Sequence, residues 1–105
     1  MRRPASPSKL RELVSAKGRL LRSLSFEETQ QLAETPEEEL AIGSRHATLY
    51  TIVEPGPDGS LRVVLQGFMK LRFFPFGSHV AVDGYYKHPD GAVAPMKDRE
   101  LYEFS

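Results

Sequence analysis

Residues 61–73, LRVVLQGFMKLRF, put Leu61, Val63, Leu65, Gly67, Met69, Leu71 and Phe73 on one parity and Arg62, Gln66, Phe68, Lys70 and Arg72 on the other. A repeat of two belongs to an extended chain, whose successive side chains point to opposite faces. This stretch therefore predicts a long strand with one face buried. Upstream, Arg45 to Glu54 repeats the pattern with Ala47, Leu49, Thr51 and Val53 on one face. The segment between them, Pro55-Gly56-Pro57-Asp58-Gly59-Ser60, has the composition of a turn.

Downstream, Pro75 and Gly77 break the pairing, and His79 to Lys87 predicts a third strand with Val80, Val82, Gly84 and Tyr86 inward. His88-Pro89-Asp90-Gly91 carries turn chemistry, with proline presetting the second position and glycine taking the last. Ala92 to Met96 can pair back as a short edge strand, where Pro95 is tolerated. Asp98 can then cap a last helical turn through Leu101 and Phe104. Short connections make neighbouring strands antiparallel, so the expected sheet is a meander.

Ahead of residue 43 the repeat is helical. Ser6 can cap and Pro7 fits the first helical position, where its missing N–H costs nothing. Leu10, Leu13, Val14, Leu21 and Leu24 fall on one face, with a bend or early stop allowed at Lys17-Gly18. Ser25-Phe26-Glu27-Glu28 is a capping box that opens a second helix. Thr35-Pro36-Glu37-Glu38 reads as a third such start, with Leu40 and Ile42 inward and Gly43 as terminator. The predicted class is α+β. Two or three short N-terminal helices (6–42) pack on one face of a three- to four-stranded antiparallel β-meander (45–96), and a helical turn (98–104) follows, all in one domain spanning 1–105.

The composition suits such a domain. The 105 residues are 40% hydrophobic and 27% charged, and they include no cysteine. A disulfide framework and a thiolate zinc site are thereby excluded, and a reducing, cytoplasmic setting is expected. No stretch reaches the ~18 apolar residues that cross a bilayer. The N-terminal run is rich in Arg and Ser and poor in acids, a faint transit-peptide composition, but the stretch also reads well as a helix, and a cytoplasmic protein is the simpler reading. The net charge of zero conceals blocks: residues 1–24 hold seven Lys/Arg against the single Glu12, and residues 25–42 hold six Glu and no basic residue. The two blocks are expected to lie side by side and neutralise each other; undocked, the basic helix would be a binding arm.

Pairing 49 with 65 and 69 with 82 keeps the apolar faces aligned. It creates a row of small residues, Ala47–Gly67–Gly84, over which the first helix would pack closely. The opposite face then reads His46–Phe68–Asp83, Thr48–Gln66–Tyr85 and Tyr50–Val64–Lys87, with Lys70, Arg72 and His79 at one end and Arg62 at the other. Exposed aromatics among cations suit a protein partner. The expected function is therefore a non-enzymatic module that binds a protein through Tyr50, Arg62, Gln66, Phe68, Lys70, Arg72, Tyr85 and Lys87. The loop Phe73-Phe74-Pro75-Phe76 would assist, since three phenylalanines in four residues exceed what one turn readily buries.

Nucleic acid is the alternative partner, bound by the basic helix or by bases stacking on the sheet. A second alternative is a metal-independent ribonuclease using His46, His79 and Asp83. On that register His46 and Asp83 lie roughly 10 Å apart and His79 and Asp83 roughly 13 Å apart, too far for direct hydrogen bonds. No phosphate loop, dinucleotide fingerprint or metal-ligand spacing is present, so no metal or cofactor is expected. The short strand 92–96 is the expected seam if the chain is a homodimer rather than a monomer.

Overall fold

A computed structural model describes residues 7–32, 37–42, 45–70 and 78–102. The order of elements is α1 (Pro7–Arg22), α2 (Phe26–Gln31), β1 (Glu37–Ile42), β2 (Arg45–Pro55), β3 (Leu61–Lys70), β4 (Ser78–Lys87), β5 (Val93–Pro95) and α3 (Asp98–Tyr102). The class is α+β. Among the described residues the strands form one five-stranded sheet in chain order β1-β2-β3-β4-β5, every neighbouring pair antiparallel.

The additional strand is β1, which replaces the expected third helix. Leu40 and Ile42 are two residues apart, which is nearly opposite sides of a helix but the same side of a strand. As a strand the segment pairs Leu40 with Ala47 and buries Ile42. The hydrophobic repeat, together with the pairing groups that β2 offers on that side, outweighs the glutamates' helical preference. The proposed cap at Thr35-Pro36 and terminator at Gly43 lie outside the described residues, as does Ser6.

Helix α1 runs unbroken through Lys17-Gly18 and lays Leu10, Val14 and Leu21 on the sheet. Leu13, Leu24, Leu32 and Val53 pack around that cluster, whose sheet side is Ile42, Ala47, Leu49, Val63, Leu65, Met69, Ala81 and Tyr85. In α2 the capping box forms as expected: Ser25 Oγ accepts from the Glu28 N–H at 3.0 Å, and Glu28 Oε1 accepts from the Ser25 N–H at 2.9 Å. Hydrogen bonding of the Glu28 carboxylate to the Ser25 N–H, and then to the Ser25 side chain, lowers the Glu28 pKa. The turn 88–91 also forms, with the Gly91 N–H donating to the His88 carbonyl and Gly91 at φ +93°.

Register is where the structure departs most from expectation. Leu49 pairs with Gly67 rather than with residue 65, a shift of two that leaves the faces of β2 and β3 unchanged. Met69 pairs with His79 rather than with residue 82. That shift of three turns β4 over, so Ala81, Asp83, Tyr85 and Lys87 face α1, while Val80, Val82, Gly84 and Tyr86 face away.

The small-residue row consequently divides. Gly67 does seat α1: a Cβ there would lie 2.6 Å from Val14 Cγ2 and 3.0 Å from Leu10 Cδ1. Gly84 instead lies on the opposite face, beneath Met96 and Leu101. Met96 and α3 therefore cover part of the face expected to be open, and the paired Val64 is completely buried. Both sides of the sheet are covered along Val63, Val64 and Leu65, and toward Phe68 and Val80 no helix lies over the outer side among the described residues.

Candidate interaction surface

The four β4 residues assigned to the open face on sequence grounds sit on the α1 side. Asp83 receives the Arg22 guanidinium end-on, at 2.8 Å from Nη1 to Oδ2 and 3.1 Å from Nη2 to Oδ1. Arg22 Nη2 also reaches the Gly84 carbonyl at 3.3 Å, and the Asp83 carboxylate accepts the Gly84 N–H at 2.9 Å. The hydrogen bond to Asp83 raises the Arg22 pKa further above its ordinary value. The same guanidinium lies 4.7 Å from the centre of the Tyr85 ring, a cation–π stack.

Lys87 is buried and donates from Nζ to the Arg22 carbonyl at 3.0 Å. It thus satisfies one of the orphan carbonyls at the end of α1 and places a positive charge at the negative end of the helix dipole. Gly18 completes the joint, since a Cβ there would run into the Asp83 carboxylate. Tyr85 and Lys87 are therefore structural contacts of α1, not parts of an open surface. The Tyr85 hydroxyl is buried without a hydrogen-bond partner among the described residues, and burial pushes its pKa up to about 12.

On the face away from α1, two groups of residues behave differently. Toward the β4–β5 end, the Tyr86 hydroxyl donates to the Glu100 carboxylate of α3. Glu100 in turn accepts from the Lys97 N–H at 3.2 Å, closing the first turn of that helix. That Tyr86–Glu100 hydrogen bond raises the Tyr86 pKa and lowers that of Glu100. Arg62 is held by Glu54, with Nη2 at 2.6 Å and Nε at 3.1 Å from Oε1. Its charge is committed within the sheet.

The other end of this face carries no helix among the described residues. Tyr50 and Phe68 meet edge to face there, with ring centres 5.7 Å apart and planes at 76°. Thr48 pairs with Phe68, Tyr50 with Gln66, Gln66 with Val82 and Phe68 with Val80. The rows therefore read Glu39–Thr48–Phe68–Val80 and Glu37–Tyr50–Gln66–Val82. Val80 is 38% exposed, Glu37 and Glu39 are exposed, and Tyr50, Phe68, Gln66 and Val82 are half-buried. A surface of this kind can bind apolar groups along one side and cations along the other.

Of the expected binding residues, the structure keeps Tyr50, Gln66 and Phe68 together on this surface and ties Arg62 to Glu54. Arg72, the loop 73–76 and the Lys70 side chain lie outside the described residues. Val80, Val82, Glu37 and Glu39 are new to it. The Leu40/Ile42 alternation signals the placement of the two glutamates, whereas the local hydropathy of β4 favours inward the parity that the structure turns outward.

The three acid–base candidates do not converge. His46 is exposed on the outer face of β2, whereas His79 and Asp83 are on the α1 side of β4 and Asp83 is engaged by Arg22. The expected row joining His46 to Asp83 is corrected by the same inversion of β4. Among the described residues no three His, Asp or Glu side chains are grouped as around a metal ion, and no helix is long and apolar enough to cross a membrane. The chain matches no protein-family model, and comparison with curated proteins and with solved structures likewise finds no significant match.

Proposed function

We propose that the chain is a small protein-interaction module that docks a partner on the half of its outer sheet face that no described helix covers, at Tyr50, Phe68, Val80 and Val82, in the reducing compartment its cysteine-free composition suits. The observation that carries this is the exposure of Val80 at 38% beside the Tyr50–Phe68 pair. The other half of the same face has its own cover, with Gly84 beneath Met96 and Leu101 and its paired Val64 fully buried. Aromatic and aliphatic side chains left open beside a covered stretch of the same sheet mark an interaction surface. The separation of His46 from Asp83 supports binding over catalysis, and the exposed acids Glu37 and Glu39 at the rim oppose a polyanion.

A photo-crosslinking residue at position 80, compared with one at Arg19 on the exposed side of α1, tests the proposal in the native host. A discrete adduct is expected at position 80, absent at position 19 and lost when Phe68→Ala is added. Equal adducts at both positions, or an adduct indifferent to Phe68→Ala, overturn it.

A further inference from the structure

The two faces of β1 present the same chemistry to opposite sides of the sheet, and one side already has its occupant. Glu38 faces α1, where Lys17 reaches it at 3.0 Å while Leu10, Val14 and Leu21 of the same helix fill the apolar part of the sheet. That helix, with cations along one flank and an aliphatic ridge, is what the inner face accepts. Glu37 and Glu39 project from the outer face at the head of the rows ending in Val82 and Val80. Both are exposed, and neither has a hydrogen bond or ion pair among the described residues.

Resting on the docking proposal above, we infer that the partner presents a basic amphipathic helix, with an aliphatic ridge on Tyr50, Phe68, Val80 and Val82 and Lys or Arg reaching Glu37 and Glu39. The rows span from β1 to β4, three strand spacings or roughly 14 Å. Two to three helical turns cover that distance, so one helix carries both its cations and its ridge across the surface. Charge complementarity fixes the sign of the helix. Glu54 is paired with Arg62 and Glu100 accepts from Tyr86 at the covered end, so the described carboxylates beside Tyr50, Phe68, Val80 and Val82 are Glu37 and Glu39 of β1.

The test is an NMR titration of the full chain with three peptides about 18 residues long, enough to hold a helix. One carries a Leu ridge flanked by Lys, one has Glu at every Lys position, and one has the Lys–Leu composition scrambled so that the ridge is lost. The Lys peptide is expected to shift the amides of Thr48 to Tyr50, Gln66 to Phe68 and Val80 to Val82, and to bind more weakly as salt rises. The double variant E37K/E39K is expected to weaken it about tenfold with an unchanged melting midpoint. Equal affinity for the Glu peptide overturns the charge inference while the docking proposal stands. Equal binding of the scrambled peptide overturns the helical ridge. Absence of shifts with all three peptides overturns the inference and leaves docking to the cross-linking experiment. Heparin or a second copy of the chain shifting those amides in place of the Lys peptide also overturns it, in favour of a polyanion or self-association.

Discussion

Strand β4 has two faces, and the more polar of them is the better buried. Toward α1 it presents Ala81, Asp83, Tyr85 and Lys87; away from it, Val80, Val82, Gly84 and Tyr86. On hydrophobicity alone the second set belongs in the core. It is outward because the first set meets a helix end that completes it. Arg22 pairs with Asp83 and covers the Tyr85 ring, and the last carbonyl of α1 accepts from Lys87. Desolvating a carboxylate and an ammonium is costly unless each finds a partner, and here a single turn of helix supplies both. The apolar set is then divided: Gly84 goes under Met96 and Leu101, and Val80 and Val82 have no helix over them among the described residues. A strand's inner face is therefore chosen by what the facing element brings as much as by hydropathy.

Substitutions on the two faces should separate accordingly. The largest effect is expected at Gly67, where α1 leaves no space. Gly67→Leu should cost about 3 kcal/mol by overpacking and lower Tm by more than about 10 °C. A thermal melt within a few degrees of the parent would show that α1 is not seated there.

Asp83→Ala comes next, leaving the Arg22 charge without its carboxylate and short of full hydration. The pair retains side-chain exposures of 30% and 22%, so the cost is expected at about 2 kcal/mol rather than the full value for a buried pair. Urea unfolding measures it, and loss of the same energy in Arg22→Ala but not again in the double variant would assign it to the pair.

The alkaline limb tests the same joint by titration. The folded pKa of Tyr85 is raised, so its proton is retained on folding. Its contribution to stability is complete below pH 10 and is lost as the pH climbs toward 12. The parent should lose up to about 2 kcal/mol over that window relative to Tyr85→Phe. At pH 7 Tyr85→Phe should be neutral or slightly stabilising, because it removes a buried hydroxyl that has no described partner. Parallel alkaline curves for the two proteins would refute the burial of that phenol.

The smallest effect is expected on the open face. Val80→Asp should change stability by less than about 0.5 kcal/mol while abolishing the cross-link to a partner from a neighbouring probe at Val82. A large loss of stability would mean that Val80 belongs to the core.

Much of this could be read from local pattern. Period two identified β2, β3 and β4; the Ser25–Glu28 box located the start of α2; and Pro89 with Gly91 located the last hairpin. These depend on contacts within a few residues. Tyr50 and Phe68 also stand on the face expected of them, because β2 and β3 slipped by an even number of residues. The glutamates of β1 misled, since Thr35-Pro36-Glu37-Glu38 satisfies the local rules for a helix start while Leu40 and Ile42 satisfy the rule for a strand. Pairing with β2 decided between them, and with it the acidic rim of the candidate surface.

The sequence by itself determined the class, the meander order from β2 to β5 and every element but β1, because periodicity and turn chemistry act over short range. Tertiary structure alone decided the orientation of β4 and hence which residues remain open. A one-residue change of parity reverses every side chain of a strand. Both parities of β4 carry apolar and polar groups, so its energy depends on groups elsewhere: Arg22, 61 positions from Asp83 in sequence, and Met96 and Leu101 over Gly84.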